Sequence, residues 1–77
     1  MIEIKHATTH DVLYRLEQSS LQDAQLDNAK IAGADLSNLD LQGVTFRNAD
    51  LREVNFRGAN LQGAIFKNAD LSRANFE

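Results

Sequence analysis

The chain has 77 residues, a net charge of −3, and neither cysteine nor proline. A domain this small has a marginal core unless something reinforces it, and without cysteine no disulfide or thiolate metal site can. Mild, mixed charge argues against a nucleic-acid surface, and no segment has the apolar run of a membrane span or signal peptide, so a soluble cytoplasmic protein is expected.

Residues 1–18 stand outside the pattern of the rest and are read as an N-terminal cap. Ile2-Glu3-Ile4 alternates like a strand, and Val12-Leu13-Tyr14-Arg15-Leu16 is β-branched and aromatic enough to pair with it. Thr8-Thr9-His10-Asp11 would supply the turn. The competing reading is a short helix with Thr9 as N-cap and Val12, Leu13 and Leu16 on one face. Either element would cover one end of a repeat array, as terminal repeats require.

From Leu21 a large apolar residue recurs at every fifth position: Leu21, Leu26, Ile31, Leu36, Leu41, Phe46, Leu51, Phe56, Leu61, Phe66, Leu71 and Phe76. Two residues before each lies a small or aliphatic one: Ser19, Ala24, Ala29, Ala34, Leu39, Val44, Ala49, Val54, Ala59, Ala64, Ala69 and Ala74. On an α-helix a step of five overshoots a turn by roughly 140°, scattering these residues around the axis. On a flat strand an odd step sends them to alternate faces. A chain that turns a corner in every repeat keeps them all inside.

The corner has its own signal. Gly33, Gly43, Gly58 and Gly63, and Asn28, Asn38, Asn48 and Asn68, all fall two places after a repeat centre. These residue types tolerate left-handed turn dihedrals. Four corners close a square of twenty residues, and Leu41–Arg57 aligns with Leu61–Glu77 without a gap at that spacing. The interior columns are then Leu21/Leu41/Leu61, Leu26/Phe46/Phe66, Ile31/Leu51/Leu71 and Leu36/Phe56/Phe76, with phenylalanines on two opposite walls. Leu39, Val44 and Val54 replace alanine in the middle coil, which should make it the best filled.

Runs such as Ala34-Asp35-Leu36-Ser37-Asn38, Ala49-Asp50-Leu51-Arg52-Glu53 and Ala59-Asn60-Leu61-Gln62-Gly63 resemble the A-(D/N)-L-x-x motif of pentapeptide repeat proteins. The resemblance covers twelve repeats over residues 19–77. It implies an all-β fold, a right-handed quadrilateral β-helix of three coils, with the hand supplied by the resemblance alone. At the far end the repeat stops at Phe76. A coil left open there would expose Leu61, Phe66, Leu71 and Phe76 together with a backbone edge, which predicts a homodimer stacked through the C-terminal coil.

Sites of chemistry are sparse. His6 and His10 have Asp11 as their one obvious carboxylate neighbour, too few for a metal, and are read as turn residues. No nucleophile is placed beside them and no phosphate loop is present, so neither catalytic residues nor a cofactor or metal is expected. Asp35, Asp40, Asp50 and Asp70 are read as corner residues bonding nearby backbone, with Lys30 in the column of Asp50 and Asp70. Gln22/Gln42/Gln62 and Asn28/Asn48/Asn68 are expected to form amide ladders. Arg47, Arg52 and Arg57 make a basic belt with Lys67 above Arg47, interrupted by Asp27, Glu53 and Glu77, and Glu53 is placed to pair with Arg73. That belt is the candidate surface for a protein partner of unknown identity; direct nucleic-acid and membrane binding are not expected.

The leading functional reading is a non-enzymatic structural or protein-interaction module, a short rigid rod. The alternative rests on the resemblance: some pentapeptide repeat proteins imitate duplex DNA, bind DNA gyrase and protect it from quinolones. A short, mildly charged chain with an arginine belt suits that role poorly.

Overall fold

A computed structural model describes residues 1–77. It contains strands, bridges and turns and no helix. The leader is the hairpin: β1 (Ile2–Lys5) and β2 (Val12–Leu16) are antiparallel, pairing Ile2 with Leu16, Glu3 with Arg15, Ile4 with Tyr14 and Lys5 with Val12 across an irregularity between Ile4 and Lys5. An isolated hairpin is marginal in water, but this one has support on both sides. Ile4 and Leu16 are buried in the core, with Ile2, Leu13 and Tyr14 packed against it. The edge of β1 also continues into the repeats: Asp35 N–H donates to Lys5 C=O at 2.9 Å, Ala7 N–H to Gly33 C=O at 2.9 Å, and His6 bridges Ala34 antiparallel. A helix in the leader would have forgone these edge bonds.

The repeats form a ladder with a register of twenty residues. Parallel bridges join Gln25 to Thr45 to Ile65, Lys30 to Asp50 to Asp70, Asp35 to Asn55 to Asn75, and Asp40 to Asn60. Each centre from Leu26 to Phe56 donates its N–H to the carbonyl nineteen residues on, as in Leu26 to Thr45 (2.8 Å), Phe46 to Ile65 (2.7 Å) and Phe56 to Asn75 (2.7 Å). The return bond comes from the residue before a centre, as in Thr45 to Ala24 (3.0 Å) and Asn55 to Ala34 (2.9 Å). Backbone donors therefore find partners on adjacent turns of the chain, which keeps a structure of two-residue corners satisfied.

All eleven positions two places after a centre, from Asp23 to Arg73, have positive φ. Glycine and asparagine fill eight of them, as expected. Asp23 (φ 59°), Glu53 (60°) and Arg73 (60°) adopt the same conformation without either residue type. For Glu and Arg the left-handed region carries a steric penalty of about 1–2 kcal/mol, so the surrounding ladder imposes the turn there.

The core runs along the axis. Phe46 stacks on Phe66 (centroids 5.4 Å, 12°) and Phe56 on Phe76 (5.1 Å, 10°), while rings on opposite walls meet edge to face at 6.0–6.5 Å. Both arrangements are favoured by the ring quadrupole, each adding about 0.5–1.5 kcal/mol beyond area burial. Val44 and Val54 are fully buried, as expected of two of the three residues that replace alanine in this phase.

Leu39 corrects the expectation. It is 38% exposed, whereas Ala24, Ala29, Ala34, Val44, Ala49 and Val54 in the same phase are buried, and Ser19 is exposed as well. The turn bond present in every other repeat from Ala24 to Ala74 is missing at Leu39, and no bridge joins Ser20 to Asp40. The chain leaving β2 at Leu16 has only Glu17–Ser20 in which to climb from the hairpin into the first repeat. It therefore does not lie flush under Leu39 and Asp40.

Candidate interaction surfaces

The corner carboxylates come first, because they set the charge of every face. Asp35, Asp40, Asp50, Asn55, Asn60, Asp70 and Asn75 each accept the backbone N–H two residues on, at 3.0–3.3 Å. This is the local side-chain turn that Asp and Asn favour. Thr45 holds that position in its repeat, and there Asp27 from the turn below takes the Arg47 N–H at 2.8 Å. The expected role of the aspartates is therefore the observed one, and no group of three His, Cys, Asp or Glu converges to hold a metal ion.

The electrostatics follow from these bonds. The Arg47 backbone N–H holds Asp27 below the usual carboxylate range. The Ser37 hydroxyl does the same for Asp35 and the Ser72 hydroxyl for Asp70. Asp50 is lowered chiefly by its hydrogen bonds from Arg52, with Lys30 adding attraction, and Arg52 is raised in return. Asp50 and Asp70 stack one above the other, and Arg52 and Lys30 offset their repulsion.

The basic belt is largely neutralised. Arg52 grips Asp50 with two bonds of 2.8 Å, Arg47 lies 3.4 Å from Asp27, and Arg73 lies 3.7 Å from Glu53. Arg57 and Lys67 make no ion pair. Exposed pairs of this kind contribute little to stability; their effect is to cancel the field a belt of free arginines would project. The amide ladders do not form as expected. Gln22 bonds Asp40 at 2.5 Å and Gln42 at 3.4 Å, but Gln62 does not continue the series, and Asn28, Asn48 and Asn68 make no side-chain bonds to one another.

His6 belongs to the hairpin turn. Its Nδ1 accepts from the backbone N–H groups of Thr8 (3.2 Å) and Thr9 (3.3 Å), which orders the loop. The C-terminal face contains Leu61, Phe66 and Leu71, half-buried, and Phe76, 51% exposed. These four apolar side chains come from four successive repeats and face one end of the stack.

A third surface was not legible in the repeat pattern. A cleft of about 340 Å³ opens between the hairpin and the first repeats, lined by Ile2, Ile4, Leu21, Leu36 and Leu39 with Glu3, Asp35 and Asp40 at its polar side. Its signal in the sequence was Ser19, the one polar residue in a phase otherwise filled by Ala, Leu and Val.

No curated protein and no solved structure matched the chain. The model of the family described as pentapeptide repeats does match, in 8 copies over residues 15–48 and 40–77. That span takes in the ladder, its left-handed corners and both phenylalanine columns. The chain belongs to the pentapeptide repeat family.

Proposed function

We propose that this protein is a non-enzymatic interaction module, a block of 26 × 26 × 23 Å rather than the expected rod, whose C-terminal coil docks against a second copy of itself. Its architecture on this reading is a right-handed quadrilateral β-helix of three coils, residues 19–77, capped by residues 1–18, working in the cytoplasm. One observation carries the proposal. Phe76 is 51% exposed at the end of its column, whereas Phe56, on which it stacks, and Phe46 on the opposite wall are at most 1% exposed. With Leu61, Phe66 and Leu71 beside it, this end offers an apolar cross-section shaped like the interior of the stack, and a two-fold axis would bury it against its own copy. No helix is long and apolar enough to cross a membrane.

Light scattering on the full chain tests this. A dimer mass at tens of micromolar is expected, falling to the monomer mass for Phe76→Lys; a wild-type monomer at that concentration overturns it. For a different protein as further partner, the belt at Arg47, Arg52 and Arg57 is the surface proposed, and binding that survives charge reversal at all three removes it. The gyrase reading is not favoured, because the belt arginines and their carboxylates cancel over the face where a DNA mimic needs continuous negative charge.

A further inference from the structure

The cleft at the hairpin end is more than a packing defect, because its backbone is unpaired as well as its apolar surface. Everywhere else in the ladder the residue before a centre is bridged to its counterpart twenty residues away. At the junction the bridge from Ser20 to Asp40 is absent, and the N–H groups of Leu21, Leu39 and Asp40 and the carbonyls of Ser19 and Asp40 have no backbone partner. These groups share one opening with Ile2 and Leu39, which are accessible, and with Ile4, Leu21 and Leu36, which are buried at its floor. Donors and acceptors of an incomplete ladder beside an apolar cleft match the requirements of an added extended strand, whose main chain pairs while its alternate side chains enter the pocket.

Charge specifies the partner further. The lining includes Glu3, Asp35 and Asp40 and no Lys or Arg. Glu3 is paired with Lys5 and Arg15, but Asp35 bonds Ser37, and Asp40 bonds Gln22 and the Gln42 N–H, so these two keep their negative charge. We infer that the cleft binds a short extended segment of a partner polypeptide carrying a large aliphatic side chain flanked by lysine or arginine. The aliphatic group would sit against Leu39 and Leu21, its neighbouring amides would pair with Leu39 and Asp40, and its cations would face Asp35 and Asp40. This rests on the reading of the protein as an interaction module but uses the opposite end from the self-association surface.

The test uses the full chain and two labelled pentapeptides, one alternating lysine with leucine and one alternating glutamate with leucine. Fluorescence anisotropy is expected to show binding of the lysine peptide at least about tenfold tighter than the glutamate peptide, the direction complementary charge imposes. Amide shifts on adding the lysine peptide are expected at Leu21, Leu39 and Asp40. Leu39→Gln, at an exposed position, is expected to keep the wild-type melting temperature and weaken binding at least about tenfold. Equal binding of the two peptides, no binding, or shifts confined to Leu61, Phe66, Leu71 and Phe76 each overturns the inference. Shifts at the cleft that depend on protein concentration without peptide also overturn it, since the occupant is then a second copy. The two-peptide comparison on the wild type decides the matter even if Leu39→Gln does not fold. Self-association is measured without peptide, so a monomer that binds the lysine peptide defeats only the dimer, and a dimer that ignores it defeats only the cleft.

Discussion

Leu41–Arg57 and Leu61–Glu77 match at ten of seventeen positions and keep the same phase, yet the structure treats them differently. In the first stretch Leu41, Val44, Phe46, Leu51, Val54 and Phe56 are all buried. In the second Leu61, Ala64, Phe66 and Leu71 are half-buried and Phe76 is exposed. The local code is shared, and the difference is whether another layer lies on each side. In a solenoid each repeat is stabilised by its neighbours, so position in the stack decides what an identical side chain contributes.

Truncation should separate the two regions most strongly. At a protein concentration low enough to keep the chain monomeric, Phe46→Ala is expected to lower unfolding free energy by about 3–5 kcal/mol, Phe66→Ala by about half as much, and Phe76→Ala by about 1 kcal/mol or less. Urea denaturation of the three variants checks the gradient; equal effects would mean that the terminal layer is already covered.

The corners sharpen the comparison at smaller magnitude. A Cβ at Gly33 would run into the His6 ring, whereas at Gly63 it meets nothing closer than Gly43 backbone at 3.8 Å. Both glycines have positive φ. Gly63→Ala should therefore cost only the left-handed penalty of about 1–2 kcal/mol. Gly33→Ala should cost more, since the displaced ring must also release Thr8 and Thr9. Thermal melts that rank Gly63→Ala as the more damaging would contradict this packing. Glu53→Asn at a strained corner is expected to stabilise by about 0.5 kcal/mol, because Asn tolerates this conformation and the exposed pair with Arg73 contributes little.

The smallest effect is that of pH. Asp35, Asp50 and Asp70 have their pKa values lowered in the folded chain from an ordinary 3.8. The unfolded chain therefore binds protons more readily, so this stabilisation is whole above the ordinary value and is lost as pH falls through the lowered ones. The urea midpoint should be flat from neutrality to about pH 5 and decline below about pH 4. Asp50→Asn should shallow that decline, and a midpoint that rises on acidification would contradict the assignment.

Much of this was legible in the residues. The step of five excluded helix and flat strand, Gly and Asn marked most corners, and the Asp and Asn before seven of the twelve centres announced the side-chain turns that form there. The exceptions are instructive. Glu53 and Arg73 turn the corner because their phase demands it, so phase was the better guide than residue type. Leu39 has the right type in the right phase and still faces outward, because its environment depends on how Glu17–Ser20 enter the stack. Of the candidate surfaces, the apolar end followed from the pattern, while the cleft announced itself only through Ser19.

What the sequence determined by itself was the repeating unit: which residue faces inward, where the chain turns, and which side chains lie twenty residues apart in one column. A period acts through backbone geometry, and backbone geometry is local. The tertiary structure alone decided how much of each inward face is covered, which arginines are cancelled by carboxylates from another turn, and where the hairpin leaves the ladder open. Those outcomes depend on neighbours far away in the chain, and five-residue motifs that are nearly identical carry no record of which neighbours they will have.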